Sequence, residues 1–160
     1  MTTNFAYLYG LELQYKDVPP RLIAEEFLPI NNEVYDYKIW CFHGKPEFIG
    51  VQYIDEHHNI YINFYDLDWN LQHFSSYKKI DAVIKKPASL DTLIEKATVL
   101  AQGFLFVRVD FYVLSNNLIK FGEMTFTPAS GIVSWNPPYA DELLGSKLTL
   151  PLDVRTKDFK

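Results

Sequence analysis

Residues 104–125 read FLFVRVDFYVLSNNLIKFGEMT, and the pattern of this stretch decides the fold. Two alternating runs flank Asn116-Asn117, which predicts strands over 104–114 and 118–125. Asparagine tolerates positive φ, so the pair suits a two-residue hairpin turn. In that register Ser115 faces Leu118, Asp110 faces Glu123 and Arg108 faces Thr125. Alternation then gathers Arg108, Asp110, Glu123 and Thr125 on one face, with Val107, Val109, Phe111, Gly122 and Met124 on the other. Two carboxylates opposed across a ladder repel. A divalent cation between them would relieve the repulsion, because hard oxygen ligands suit Mg²⁺. The same pattern also describes a solvated polar face in which Arg108 neutralises one carboxylate, and alternation alone does not choose between the two. A three-residue loop would shift the pairs by one and separate the carboxylates.

Working outward, residues 89–102 predict the one clear helix. Leu90, Leu93, Ile94, Ala97, Leu100 and Ala101 recur at three- and four-residue steps and form one apolar stripe. Ser89 is placed to cap its start, and Gly103 to end it in the left-handed conformation. Upstream, strands are expected over 21–28, 35–43, 46–54 and 59–65, with Gly44-Lys45 as a tight turn. Pro19-Pro20 marks a boundary before them. Residues 66–79 read as a polar loop, and little regular structure is expected after Ala129, where Pro137-Pro138 lies. The organisation read from this is an N-terminal segment 1–20, a domain over 21–150 and a tail 151–160. The fold class is α+β, a mostly antiparallel sheet with one major helix.

Composition narrows the function classes. With 15 basic and 20 acidic side chains the net charge is −5, no footprint for nucleic acid. Cys41 is the single cysteine, which rules out an internal disulfide and any CxxC zinc pattern. Met1 to Gly10 lacks the basic and apolar regions of a signal peptide. No apolar run reaches the roughly 18 residues of a membrane span. A cytoplasmic location is expected.

The order of motifs carries a resemblance. Val107-Arg108-Val109-Asp110, a hairpin, then Glu123-Met124-Thr125-Phe126-Thr127-Pro128-Ala129-Ser130-Gly131 resembles the end of the ATP-grasp fold. There a strand Asp is followed by a Glu-x-Asn-x-x-Pro-Gly-like segment. Ile23-Ala24-Glu25-Glu26-Phe27-Leu28 resembles that fold's adenine-binding connector, and Asp36-Tyr37-Lys38-Ile39 its Asp-x-Arg strand. A closer resemblance is to the TupA-like branch, named for teichuronopeptide biosynthesis and often labelled glycosyltransferase. It is carried by residues 20–26, by Asp36-Tyr37-Lys38 with Phe42-His43-Gly44-Lys45-Pro46, by residues 63–70, and by the hairpin segments 107–112 and 121–131.

The resemblance implies ATP and Mg²⁺ as cofactors. Glu25, Glu26 and Leu28 would read adenine, Asp36 would face the ribose, and Lys38 and Arg108 would meet phosphate oxygens. Asp110 and Glu123 would bind the metal, with Thr125 as third ligand where the family fold usually has Asn. The implied activity is carboxylate activation by acyl phosphate with an amine acceptor, in cell-surface polysaccharide or teichuronopeptide synthesis. Arg108 and Lys38 would be the catalytic cations. The fold normally adds a preceding domain and a glycine-rich lid, which residues 1–20 do not supply, so an incomplete enzyme is expected. The carboxylate or saccharide substrate is not specified.

Two rivals follow from other residues. Asp66-Leu67-Asp68 matches the DxD pattern with which many glycosyltransferases hold a metal and a sugar nucleotide, though a solvated loop anchored by Trp69 explains it as well. A non-catalytic fragment would instead pack against a second copy or a missing domain. The remaining features read as structural. His57 and His58 are adjacent and point apart in a strand, and His43 and His73 lack ligand-spaced partners. Cys41 sits in an apolar strand, Trp135 reads as an anchor, and Lys78, Lys79, Lys85 and Lys86 as solvated charges.

Overall fold

Alternation in five segments builds one sheet. The computed structural model describes residues 10, 12–25, 28, 35–79 and 84–151. Its strands are β1 (Tyr35–Phe42), β2 (Lys45–Ile54), β3 (Ile60–Tyr65), β4 (Phe106–Val113) and β5 (Ile119–Thr125). They pair antiparallel in the order β3-β2-β1-β4-β5. Helix α1 (Leu90–Ala101) enters between β3 and β4, and helix α2 (Tyr139–Ser146) follows β5. The architecture is the α+β, antiparallel arrangement expected from the sequence.

Two clusters of buried side chains hold it together. Ile39, Cys41, Ile49, Val51, Val107, Val109 and Phe111 turn one face of the sheet toward Leu90, Leu93, Ala97 and Ala101 of α1. Leu100, read into that stripe, is exposed instead, because the buried arc of α1 is narrower than the apolar pattern. The opposite face carries a second cluster at one end, with Phe48, Phe64, Phe74 and Leu144 joined by Trp40 and Trp135. Trp135 lies 5.6 Å from Trp40 and 5.5 Å from Phe64 between ring centroids, an anchor as expected. Trp69 likewise stacks on Tyr65 at 4.3 Å and donates its indole N–H to Ile84 O. No helix of the described residues is long and apolar enough to cross a membrane.

Several expectations are corrected. The β1–β2 turn is His43-Gly44, with φ of 50° and 76°, one residue earlier than read. Both central positions need positive φ, and Lys45 joins the ladder opposite Phe42. Ser89 makes no side-chain cap hydrogen bond; its carbonyl accepts from Leu93 N at 2.9 Å. Gly103 does take the left-handed conformation, with φ of 83°. The strand read over 21–28 is absent at residues 21–25 and 28. Leu22 and Ile23 are 104% and 81% exposed, so the apolar run there has no surface to bury against. Residues 26–27 lie outside the described residues.

The chain after Ala129 is more ordered than expected. A tight turn (Pro128–Gly131), left-handed at Ala129 and Ser130 with φ of 47° and 55°, and α2 follow β5, with a cis Asn136-Pro137 bond between them. Ser75 and Asn136 exchange two backbone hydrogen bonds of 2.9 Å, which fasten this segment beside β3. The N-terminal segment docks on it as well. Gln14 Nε2 donates to Thr127 Oγ1, and the Tyr15 ring packs edge-on against Phe126 at 6.4 Å.

Candidate functional site

The hairpin at the centre of the sequence reading is built differently from its prediction, yet presents the predicted face. Leu114 N donates to Leu118 O (3.0 Å) and Asn117 N to Leu114 O (2.8 Å), so the loop has three residues, Ser115-Asn116-Asn117. Asn117 takes the left-handed conformation at φ 60°. Near the loop the register is therefore displaced by one, with Phe111 opposite Phe121. A bulge between Val109 and Phe111 absorbs the offset and returns Val109 to Met124 and Arg108 to Thr125. Asp110 thus faces Gly122 and Glu123 together rather than Glu123 alone. Position 122 is crowded, because a Cβ there would lie 3.1 Å from Asp110 O and 3.3 Å from the Tyr112 ring.

Strand β1 supplies the other half of the face. Its register sets Asp36 beside Tyr112, Lys38 beside Asp110 and Trp40 beside Arg108. Lys38 Nζ donates to Asp36 Oδ2 at 2.6 Å and to Asp110 Oδ2 at 2.8 Å. Arg108 Nε donates to Asp110 Oδ1 at 2.7 Å. Arg108 Nη2 alone meets Asp110 Oδ2 at 2.6 Å, Glu123 Oε1 at 2.9 Å and Thr125 Oγ1 at 3.0 Å. Thr125 Oγ1 donates in turn to Glu123 Oε1 at 2.8 Å. The side chains of Asp36, Lys38, Asp110 and Arg108 are 13%, 11%, 4% and 13% exposed, whereas Glu123 is 63% exposed.

Burial and charge oppose each other in this network. Burial pushes the Asp36 carboxyl up despite the Lys38 ammonium beside it. Burial alone would lower Lys38, but Asp36 and Asp110 outweigh it and hold the ammonium above its ordinary value. Arg108 is raised in the same way, burial being overcome by its bonds to Asp110. Asp36 Oδ1 is buried without a hydrogen-bond partner among the described residues, as is the Trp40 indole N–H. A cavity of about 280 Å³ borders the network, walled by Lys38, Arg108, Trp40, Phe64, Tyr77 and Pro128.

Of the predicted site residues, Asp36, Lys38, Arg108, Asp110, Glu123 and Thr125 come together. Glu25 is exposed and Leu28 half-buried, both outside regular structure, and Glu26 lies outside the described residues. Asp66 is committed to its own loop: Oδ1 accepts from the Asp68 and Asn70 amides and Oδ2 from the Asn70 side chain, at 2.8–3.0 Å. Asp55 does the same with His57 and Asn59, so two Asp-x-x-x-Asn turns of one design flank β3. Each turn carries a positive φ, at His58 and at Trp69. Burial would raise Asp66, but the bonds from Asn70 outweigh it and hold its carboxyl low. Cys41 is buried, and burial pushes its thiol up to about 12, the state of an unreactive core residue. His43 Nε2 accepts from Thr149 N at 3.0 Å. Trp40 and the docking of Gln14 and Tyr15 were missed. Trp40 was legible as the next same-face residue after Asp36 and Lys38.

Among the described residues no three His, Cys, Asp or Glu side chains group as a metal site. Asp110 and Glu123 with the Thr125 hydroxyl nevertheless form an all-oxygen set converging on one point, marked by Arg108 Nη2. That chemistry fits Mg²⁺, which keeps several waters and takes only one or two carboxylates.

A family model, TupA-like ATPgrasp, matches residues 1–149. The chain belongs to the TupA-like ATP-grasp family. No curated protein and no solved structure matches it. Membership of this family brings an ATP-grasp-type role, with general use of ATP and metal.

Proposed function

We propose that this TupA-like ATP-grasp chain provides the Mg²⁺-nucleotide face of an ATP-dependent carboxylate–amine ligase. The observation that carries the reading is the convergence of Asp110, Glu123 and Thr125 oxygens on a single point beside Lys38. In this reading Asp110, Glu123 and Thr125 hold Mg²⁺, which when bound neutralises charge on the nucleotide phosphates. Lys38 and Arg108 bind phosphate oxygens and offset the charge that spreads over the transferred group. Asp36 faces the ribose, and Glu25, Glu26 and Leu28 hold adenine. The cavity beside Lys38 and Arg108 takes the substrate carboxylate, which attacks the terminal phosphorus of ATP as the β–γ anhydride bond breaks and ADP leaves. An amine then displaces phosphate from the acyl phosphate. A role in cell-surface polymer synthesis and a cytoplasmic location accompany this reading.

The glycosyltransferase alternative rests on Asp66 and Asp68, whose loop already uses both Asp66 oxygens. Equilibrium binding of a non-hydrolysable ATP analogue and of a sugar nucleotide, each with Mg²⁺, separates the two. Asp110→Ala is expected to abolish analogue binding, and the double change Asp66→Asn, Asp68→Asn to leave it intact. Analogue binding that survives Asp110→Ala, with sugar-nucleotide binding lost in the double variant, would replace this reading with the alternative.

A further inference from the structure

One atom of this network stands where the proposed metal would stand. Arg108 Nη2 touches an oxygen of each proposed ligand at 2.6–3.0 Å, and Arg108 Nε occupies the second Asp110 oxygen at 2.7 Å. Mg²⁺ takes its oxygens at about 2.0–2.1 Å, so closure of less than about 1 Å would convert the same cradle to a metal site. A guanidinium and a dication cannot share those oxygens.

We propose that Arg108 is the resident counter-ion of the metal position, released when nucleotide phosphate arrives, so that metal and nucleotide bind as a cooperative pair. The inference rests on the reading of Asp110, Glu123 and Thr125 as metal ligands. Two further observations support it. The ionic network holds three carboxylates, buried Asp36 and Asp110 and exposed Glu123, against two cations, Lys38 and Arg108, a net charge of −1. A dication added with Arg108 in place would leave +1, a cost relieved when a polyanion takes the guanidinium. Arg108 also has somewhere to go, because it borders the cavity of about 280 Å³ next to Lys38. Lys38 is held by Asp36 at 2.6 Å and Asp110 at 2.8 Å, and its third N–H remains for a phosphate oxygen. By linkage, the factor by which nucleotide raises metal affinity is the factor by which metal raises nucleotide affinity.

Mn²⁺ is the probe, its free concentration read by electron paramagnetic resonance on the whole chain without nucleotide. Arg108→Met is expected to bind Mn²⁺ at least tenfold more tightly than wild type. Wild type should gain a similar factor from a saturating ATP analogue, and the variant much less. Equal Mn²⁺ affinity in wild type and Arg108→Met would overturn the proposal. Adding Asp110→Asn to the variant tells the two ideas apart. Loss of Mn²⁺ in the double variant, without any gain in the single one, leaves the metal ligands standing and removes the counter-ion role. Binding indifferent to Asp110→Asn and Glu123→Gln moves the metal elsewhere and sinks both. Arg108→Lys keeps the charge but cannot span the same acceptors, and an intermediate gain is expected should Arg108→Met fold poorly. In wild type the Arg108 Nε–H resonance should move on adding Mg²⁺ with analogue. An unmoved resonance would also contradict the exchange.

Discussion

At the scale of single residues, the polar face is a problem in charge pairing. Buried ions are tolerated when each is paired and its remaining hydrogen-bonding capacity is used. Lys38 and Arg108 do this for Asp110, each donating to it directly. The least obvious member is Gly122, whose missing side chain lets β5 bulge against Asp110 and swing Glu123 onto the face. Gly122→Ala would press a methyl group to 3.1 Å from a backbone oxygen, and overpacking of this kind costs about 1–3 kcal/mol. Urea unfolding should show that loss, and an unchanged midpoint would mean the bulge has slack. The face residues were legible because period-two alternation places i and i+2 together. The bulge was not, since Asn116-Asn117 suits both a two- and a three-residue loop. What decides between them is the whole ladder, with Phe121 packing against Phe111 at 6.2 Å. Thr125 was legible as a departure from Asn, and its hydroxyl bridges Arg108 and Glu123.

At the scale of elements, strands with a buried neighbour on each side were read to within a residue or two, as β1 and β2 show. The run over 21–28 failed because strand character comes from a partner, and Leu22 and Ile23 have none to lie against. Helix α2 was overlooked for its brevity, although Pro138 before Tyr139 and the acidic first turn with Asp141 and Glu142 are helix-start signals. The β2–β3 turn permits a pH test. Hydrogen bonds from Asn59, its side chain first, hold Asp55 at about 2 against an ordinary 3.8. A depressed carboxyl stabilises the fold above its unfolded pKa and loses that contribution as pH falls through the folded value. Wild-type stability should therefore drop between about pH 4 and pH 2, and Asp55→Asn should flatten that part of the profile. Identical profiles by thermal melting would show that the turn does not couple to folding.

At the scale of the whole molecule, the sheet divides labour between its faces. One is sealed by α1 and gives the strands their rigidity, and the other carries the ion network, the adjoining cavity and the Pro128–Gly131 turn. Mounting the charged residues on the neighbouring strands β1, β4 and β5 fixes their spacing better than loops would. The overall class and the clustering of Asp36, Lys38, Arg108, Asp110, Glu123 and Thr125 followed from alternation and motif order. The packing of the N-terminal segment against Phe126 and Thr127 did not, because contacts across more than a hundred residues leave no local pattern. The central claim, a metal-dependent nucleotide site on this face, is tested most directly by calorimetric titration of the chain with a non-hydrolysable ATP analogue, in Mg²⁺ and in chelator. Binding that requires Mg²⁺ and disappears in Asp110→Ala and in Glu123→Ala is the predicted result. Binding of equal strength with and without Mg²⁺, or undiminished in both variants, would contradict the account.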